Sequence, residues 1–137
     1  MASLIYDSFL DDEARCNIDG DADTFKALLV TSSYTPNKGT HTRRSDITNE
    51  VTGTGYTAGG VTCACTVAKD TTNHRVTLTF AALSWASSTI TARGAVIYKS
   101  TGTAANDPLV AYVDFGSDVV SSAGTFSVTS SVITKQN

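Results

Sequence analysis

The stretch R-V-T-L-T-F, residues 75–80, alternates apolar and β-branched polar side chains without a break. With a side-chain period of two, Val76, Leu78 and Phe80 fall on one face and Thr77 and Thr79 on the other, which is the pattern of a half-buried strand. Other segments extend the pattern. Residues 24–31 place Phe25, Ala27 and Leu29 on one face, and residues 109–115 read as a further strand. Residues 90–99 hold the apolar run Ala95 to Tyr98, suited to a central strand covered on both sides. Shorter strands are expected at 50–56 and 61–69, the latter a hairpin arm after the Gly59–Gly60 turn, and at about 125–132. Trp85 falls in a short element of its own between Ser84 and the pair Ser87 and Ser88.

Two regions interrupt this pattern. Residues 4–15 carry Tyr6, Phe9, Leu10 and Ala14 at spacings of three and four, with acids on the remaining surface, and predict one short amphipathic helix. Residues 32–48, with Pro36, Asn37, Lys38 and Gly39, predict a long loop with a helical turn near 45–48. The expected fold is therefore all-β: one domain over residues 1–137, a β-sandwich or partly open barrel of about seven to eight antiparallel strands with a short N-terminal helix.

Composition agrees with that class. Charged residues are 17% of the 137, below the roughly 25% usual for soluble domains, and Ser and Thr supply much of the polarity instead. Hydrophobic residues at 41% suffice for one core. A net charge of −3 gives no electrostatic reason to approach a phosphate backbone, so nucleic acid is not an expected partner. Residues 1–10 lack a basic segment followed by an apolar run, and no stretch approaches the ~18 apolar residues of a membrane helix. Neither secretion nor membrane anchoring is expected, and synthesis in a cytoplasm is.

No set of side chains assembles into a catalytic or cofactor site. Asp19, Asp21 and Asp23 imitate the start of a calcium loop, but Thr24 stands where its turn glycine belongs and Val30 where its bidentate glutamate belongs. An acidic turn is the simpler reading. Zinc would need Cys63 and Cys65 to recruit Cys16, His41 or His74 from separate segments, and the spacing gives no support. Asp11 and Asp12 point to different sides of a helix, no serine sits in a nucleophile elbow, and the glycine pairs do not match a phosphate loop. No cofactor, metal or enzymatic activity is expected.

Two groups remain candidates for contacts. Arg43 and Arg44 sit in the long loop, and are either solvated or part of a loop, 34–48, that reaches a neighbouring subunit through the bidentate donors arginine offers. The three cysteines leave at least one thiol unpaired. Cys63 and Cys65 at i and i+2 would share one face of a strand, with α-carbons about 6–7 Å apart and poorly directed for a bridge. They are read as reduced, partly buried thiols, the alternative being a bridge from Cys16 to one of them or to a neighbouring subunit.

Four strings add what periodicity does not: DADTFKALLVTSSYTP (21–36), TNEVTGTGYTAGG (48–60), TITARGAVIYKSTGT (89–103) and PLVAYVDFG (108–116). In this order they resemble a family of small virion structural proteins of tailed bacteriophages, over most of the chain. The resemblance implies a non-enzymatic virion component, a capsid decoration or cement protein that binds the major capsid protein or other virion proteins as a homo-oligomer. A tail, collar or fibre component that meets the host surface is the alternative. For that alternative the exposed aromatics would be Tyr34, Tyr56 or Trp85, although Trp85 fits a core position better. The resemblance carries no site residues with it.

Overall fold

The structure is a computed structural model that describes residues 2–137. In chain order it holds β1 (Leu4–Ile5), α1 (Asp7–Ala14), β2 (Phe25–Val30), β3 (Val61–Thr62), β4 (Cys65–Asp70), β5 (Arg75–Phe80), β6 (Leu83–Lys99), β7 (Leu109–Val128) and β8 (Ser131–Gln136). Short 3-10 turns occupy Arg44–Asp46 and Ala104–Asn106. The strands form two antiparallel sheets, one ordered β1-β7-β6-β2-β3 and the other β4-β5-β8. The fold is an all-β sandwich.

One bent hairpin generates both sheets. Phe80 pairs with Ser131 at the end of the β5–β8 ladder, and Leu83 pairs with Val128 at the start of the β6–β7 ladder. Only residues 81–82 and 129–130 separate the two ladders. The strand pair therefore turns a corner and lays β5 and β8 over the face of β6 and β7. Between the layers pack Phe25, Ala27, Ile97 and Val110 from the larger sheet and Leu78, Phe80 and Ile133 from the smaller, with Phe9 of α1 in the same cluster. Phe25 and Phe80 meet edge to face at 5.5 Å, the arrangement favoured by the ring quadrupoles.

The opposite face of the larger sheet is also covered. There Leu28, Val30, Val96, Tyr98 and Tyr112 pack with Tyr6 and Tyr34, which the N-terminal segment and the connection 31–60 deliver. This double coverage explains why β2 is apolar at four consecutive positions, 27–30, and why Ala95, Val96, Ile97 and Tyr98 are all buried. The expected central strand is thus central, between β2 and β7.

Several expected boundaries are corrected. The helix starts at Asp7 rather than at residue 4, because Leu4 and Ile5 pair with Tyr112 and Ala111 and the extended Tyr6 donates its N–H to Val110. Its buried positions are Phe9 and Asp12, while Leu10 is 59% exposed. Residues 50–56 make only the isolated bridges Val30–Glu50 and Thr54–Thr89 instead of a strand. Gly53 lies so close to β6 that a Cβ there would stand 2.3 Å from the Thr89 carbonyl oxygen. Residues 61–69 are no single hairpin arm: β3 belongs to the larger sheet, β4 to the smaller, and the chain crosses at 63–64. Trp85 lies within the 17-residue β6, and the strand expected at 125–132 is divided by the corner, with β7 ending at Val128 and β8 starting at Ser131. No helix among the described residues is long and apolar enough to cross a membrane.

Phe80, 1% exposed at the corner, joins the layers. Phe80→Ala should lower the unfolding free energy by about 3–5 kcal/mol in a urea titration, whereas Val132→Ala, at an exposed position, should change it by less than about 0.5 kcal/mol.

Candidate functional site

The long connection expected at 32–48 runs from β2 to β3, and polar anchors hold it to the body. Arg43 forms a two-pronged pair with Asp12 of α1, Nη1 to Oδ2 at 2.8 Å and Nη2 to Oδ1 at 3.2 Å. Arg44 donates from Nε to Asp107 Oδ2 at 2.8 Å and lies over the Tyr98 ring, 5.3 Å from its centroid. Asp12 and Asp107 are both buried. The two arginines, considered above for a neighbouring subunit, thus have their partners within the chain: Arg43 braces the helix and Arg44 braces the β6–β7 connection. Breaking such a pair strands a buried carboxylate, which makes each bond a local lock.

Carboxylates also order the turns themselves. Asp46 accepts from the backbone N–H groups of Thr42 and Arg43 at 2.8 and 3.0 Å, and these bonds hold its pKa below the usual carboxylate range. Burial pushes Asp107 up, but its bonds from Thr101 and Arg44 outweigh this and leave its pKa lowered. Asp19, Asp21 and Asp23 form the acidic turn: Asp19 Oδ1 accepts from the N–H groups of Asp21 and Ala22, and Asp23 pairs with Lys99 at 3.0 Å. Among the described residues no group of three or more His, Cys, Asp or Glu side chains is placed to hold a metal ion.

The aromatic candidates face inward. The Tyr34 hydroxyl lies 2.8 Å from that of Tyr6 and 2.9 Å from His41 Nδ1, and burial raises its pKa. Tyr56 donates to Glu50 at 2.7 Å and accepts from the Leu29 N–H, and Trp85 packs between Tyr56 and Phe126. Tyr34 and Trp85 are buried and Tyr56 is half-buried, so these three build no exposed aromatic platform. His74 sits in the turn between β4 and β5 with φ of 54°.

All three cysteines are free. Cys63 is buried at the crossing between the sheets, where burial pushes its thiol up to about 11, and Cys65 opens β4 with its pKa also raised by burial. Both behave as small apolar groups. Cys16 is exposed after α1.

Two sheet edges of some length stay open: the six residues of β4, which end in Lys69 and Asp70, and the longer β7–β8 arm. On the β7–β8 arm of the hairpin, β1 covers Ala111 and Tyr112 and the Ser3 hydroxyl accepts from the Asp114 N–H, so the outer edge from 115 through the corner to 136 pairs with no strand among the described residues. From 115 to 134 this arm contains one charged residue, Asp118, and no proline. Edge strands are ordinarily blunted by charge, proline or brevity, and this one relies on bulges instead. The β6–β7 register breaks between Ala92 and Gly94 and again between Ser88 and Ile90, close to Gly116 at φ +81° and Ala123 at φ +47°. Between them Val119, Val120 and Ser121 keep regular pairing with Ala92, Thr91 and Ile90. Val120 is 65% exposed. Beside β8 a groove of about 690 Å³ runs between the sheets, lined by Ile5, Leu10, Phe80, Val113 and Val132.

Comparison with family models, with curated proteins and with solved structures gave no match.

The lowered pKa values of Asp46 and Asp107 make stability depend on acid. Their contribution is complete above the unfolded carboxylate value of about 4 and is lost as pH falls through their lower folded values. Urea midpoints measured from pH 7 downward should hold until about pH 4 and then decline. Asp107→Asn should cost about 2–3 kcal/mol at pH 7 and make the acid decline shallower than in the wild type.

Proposed function

We propose that the chain is a structural component of a tailed-bacteriophage particle, a decoration or cement protein. It is made in the host cytoplasm and binds the head surface, where it reinforces contacts between capsid proteins. The observation that carries this reading is the uncovered, nearly uncharged β7–β8 edge, set on a sandwich whose arginine pairs are spent on bracing its own loops. A strand edge binds through main-chain groups, and apolar side chains beside it add area, so the surface suits attachment to another protein's sheet. The four strings that resemble phage virion proteins support the same reading. In this role the protein acts by binding, with the major capsid protein or another virion protein as partner and no catalytic step.

The inward-facing aromatics favour the head over a carbohydrate-reading tail or fibre. A decoration protein gains from repetition, because many weak contacts around a shell sum to firm attachment without any one strong site.

Reconstruction of the intact particle tests this. The reading expects the chain on the outer head surface at a copy number that follows the capsid lattice, and it expects particles stripped of it to lose their genome at lower temperature. Its absence from purified particles would overturn the reading, and a position on the tail would overturn the head assignment.

A further inference from the structure

We infer that the β7 edge at residues 117–122 joins a second copy of this chain, antiparallel, about a two-fold axis at Val120. The inference rests on the assembly reading above and names the occupant of its surface. It starts from what the edge demands. An occupant must bring a free strand edge of its own, and it must not bury charge against a segment whose only charged residue is Asp118. The segment S-D-V-V-S-S meets both demands when laid against itself.

Symmetry then selects the register. Two strands side by side and antiparallel are related by an axis perpendicular to their sheet, which keeps each side chain on its own face. Directly opposed residues share a face, so the axis must pass beside a residue that meets its own copy. With Val120 there, Val119 meets Ser121 of the second copy and Asp118 meets Ser122. Each carboxylate faces a hydroxyl and the two carboxylates stay apart. Moving the axis to Val119 would set Asp118 against the second copy's Val120, and moving it to Asp118 would oppose the two charges. The Val120 register also covers the most exposed of the large hydrophobics, at 65%, with its own equivalent. The register with β6 is regular at Val119 to Ser121, the three residues centred on Val120, and irregular on either side, near Gly116 and Ala123, so the axis falls at the middle of the regular edge. A closed two-fold contact satisfies this segment of both copies' edges at once.

Disulfide trapping reads the register directly. In a Cys16→Ser background, Val120→Cys brings two thiols face to face, with β-carbons about 5 Å apart. Ser122→Cys leaves its two thiols four residues out of register, about 13 Å apart. Mild oxidation should link the Val120→Cys protein into a covalent dimer and leave the Ser122→Cys protein unlinked. No linkage in the first, or equal linkage in both, would overturn the register. Sedimentation of the native chain across the micromolar range should show a dimer, and Val120→Lys should raise its dissociation constant at least about tenfold while the unfolding midpoint holds. A native chain that sediments as a monomer yet is abundant in purified particles would overturn the two-fold pairing and leave the assembly reading standing. A two-fold dimer missing from particles would do the reverse.

Discussion

Every backbone N–H and C=O in a sheet needs a partner, and within the protein the bent hairpin meets this requirement more fully along one arm than along the other. The β5–β6 arm is flanked along much of its length: β4 pairs with β5, β2 pairs with residues 94–99, and a single bridge from Thr54 reaches Thr89. The β7–β8 arm has two residues of β1, a bond from the Asp114 N–H to the Ser3 hydroxyl at 2.8 Å, and beyond Asp114 no further strand on its outer side among the described residues. The sandwich follows from the corner at 81–82 and 129–130, and so does its open side. A single strand pair that folds over itself closes a core between its layers but cannot close the outer edge of its second arm.

The placement of charge gives that edge its meaning. Asp12 and Asp107 are buried, Arg43 and Arg44 reach inward to them, and Asp46 ties down the backbone beside them. These groups hold the connections 31–60 and 100–108 against the body, where a loop without such anchors would move. Charge is concentrated where the fold needs locks. It is nearly absent along the β7–β8 edge, and the usual devices that keep sheet edges apart are reduced there to breaks in the β6–β7 register.

The legible part of the fold was what local periodicity records. R-V-T-L-T-F at 75–80 became β5 with its predicted inner face, and the apolar run at 95–98 became the most buried part of β6. Periodicity failed where a tertiary contact replaced it. Leu4 and Ile5 left the helix to pair with β7, and the glycines at 53 and 55 exchanged a ladder for close packing on β6. The corner was illegible, since two short linkers, Ala81–Ala82 and Thr129–Ser130, carry no sign that both arms bend together. The arginine partners were equally hidden, because Arg43 is 31 positions from Asp12 and Arg44 is 63 from Asp107. The free edge did leave a trace, the run from 115 to 134 with a single charge, but only the topology turns that composition into a surface.

Backbone hydrogen exchange tests the central claim, that the β7 edge is the surface through which this protein assembles. Amides that point outward from a free edge exchange quickly, and pairing with another strand protects them. Exchange compared between dilute and concentrated protein, and between free and particle-bound protein, should show protection rising within residues 116–125 while the peptides around Arg43 to Asp46 stay constant. Protection that rises at the arginine loop and leaves residues 116–125 unchanged would contradict the account.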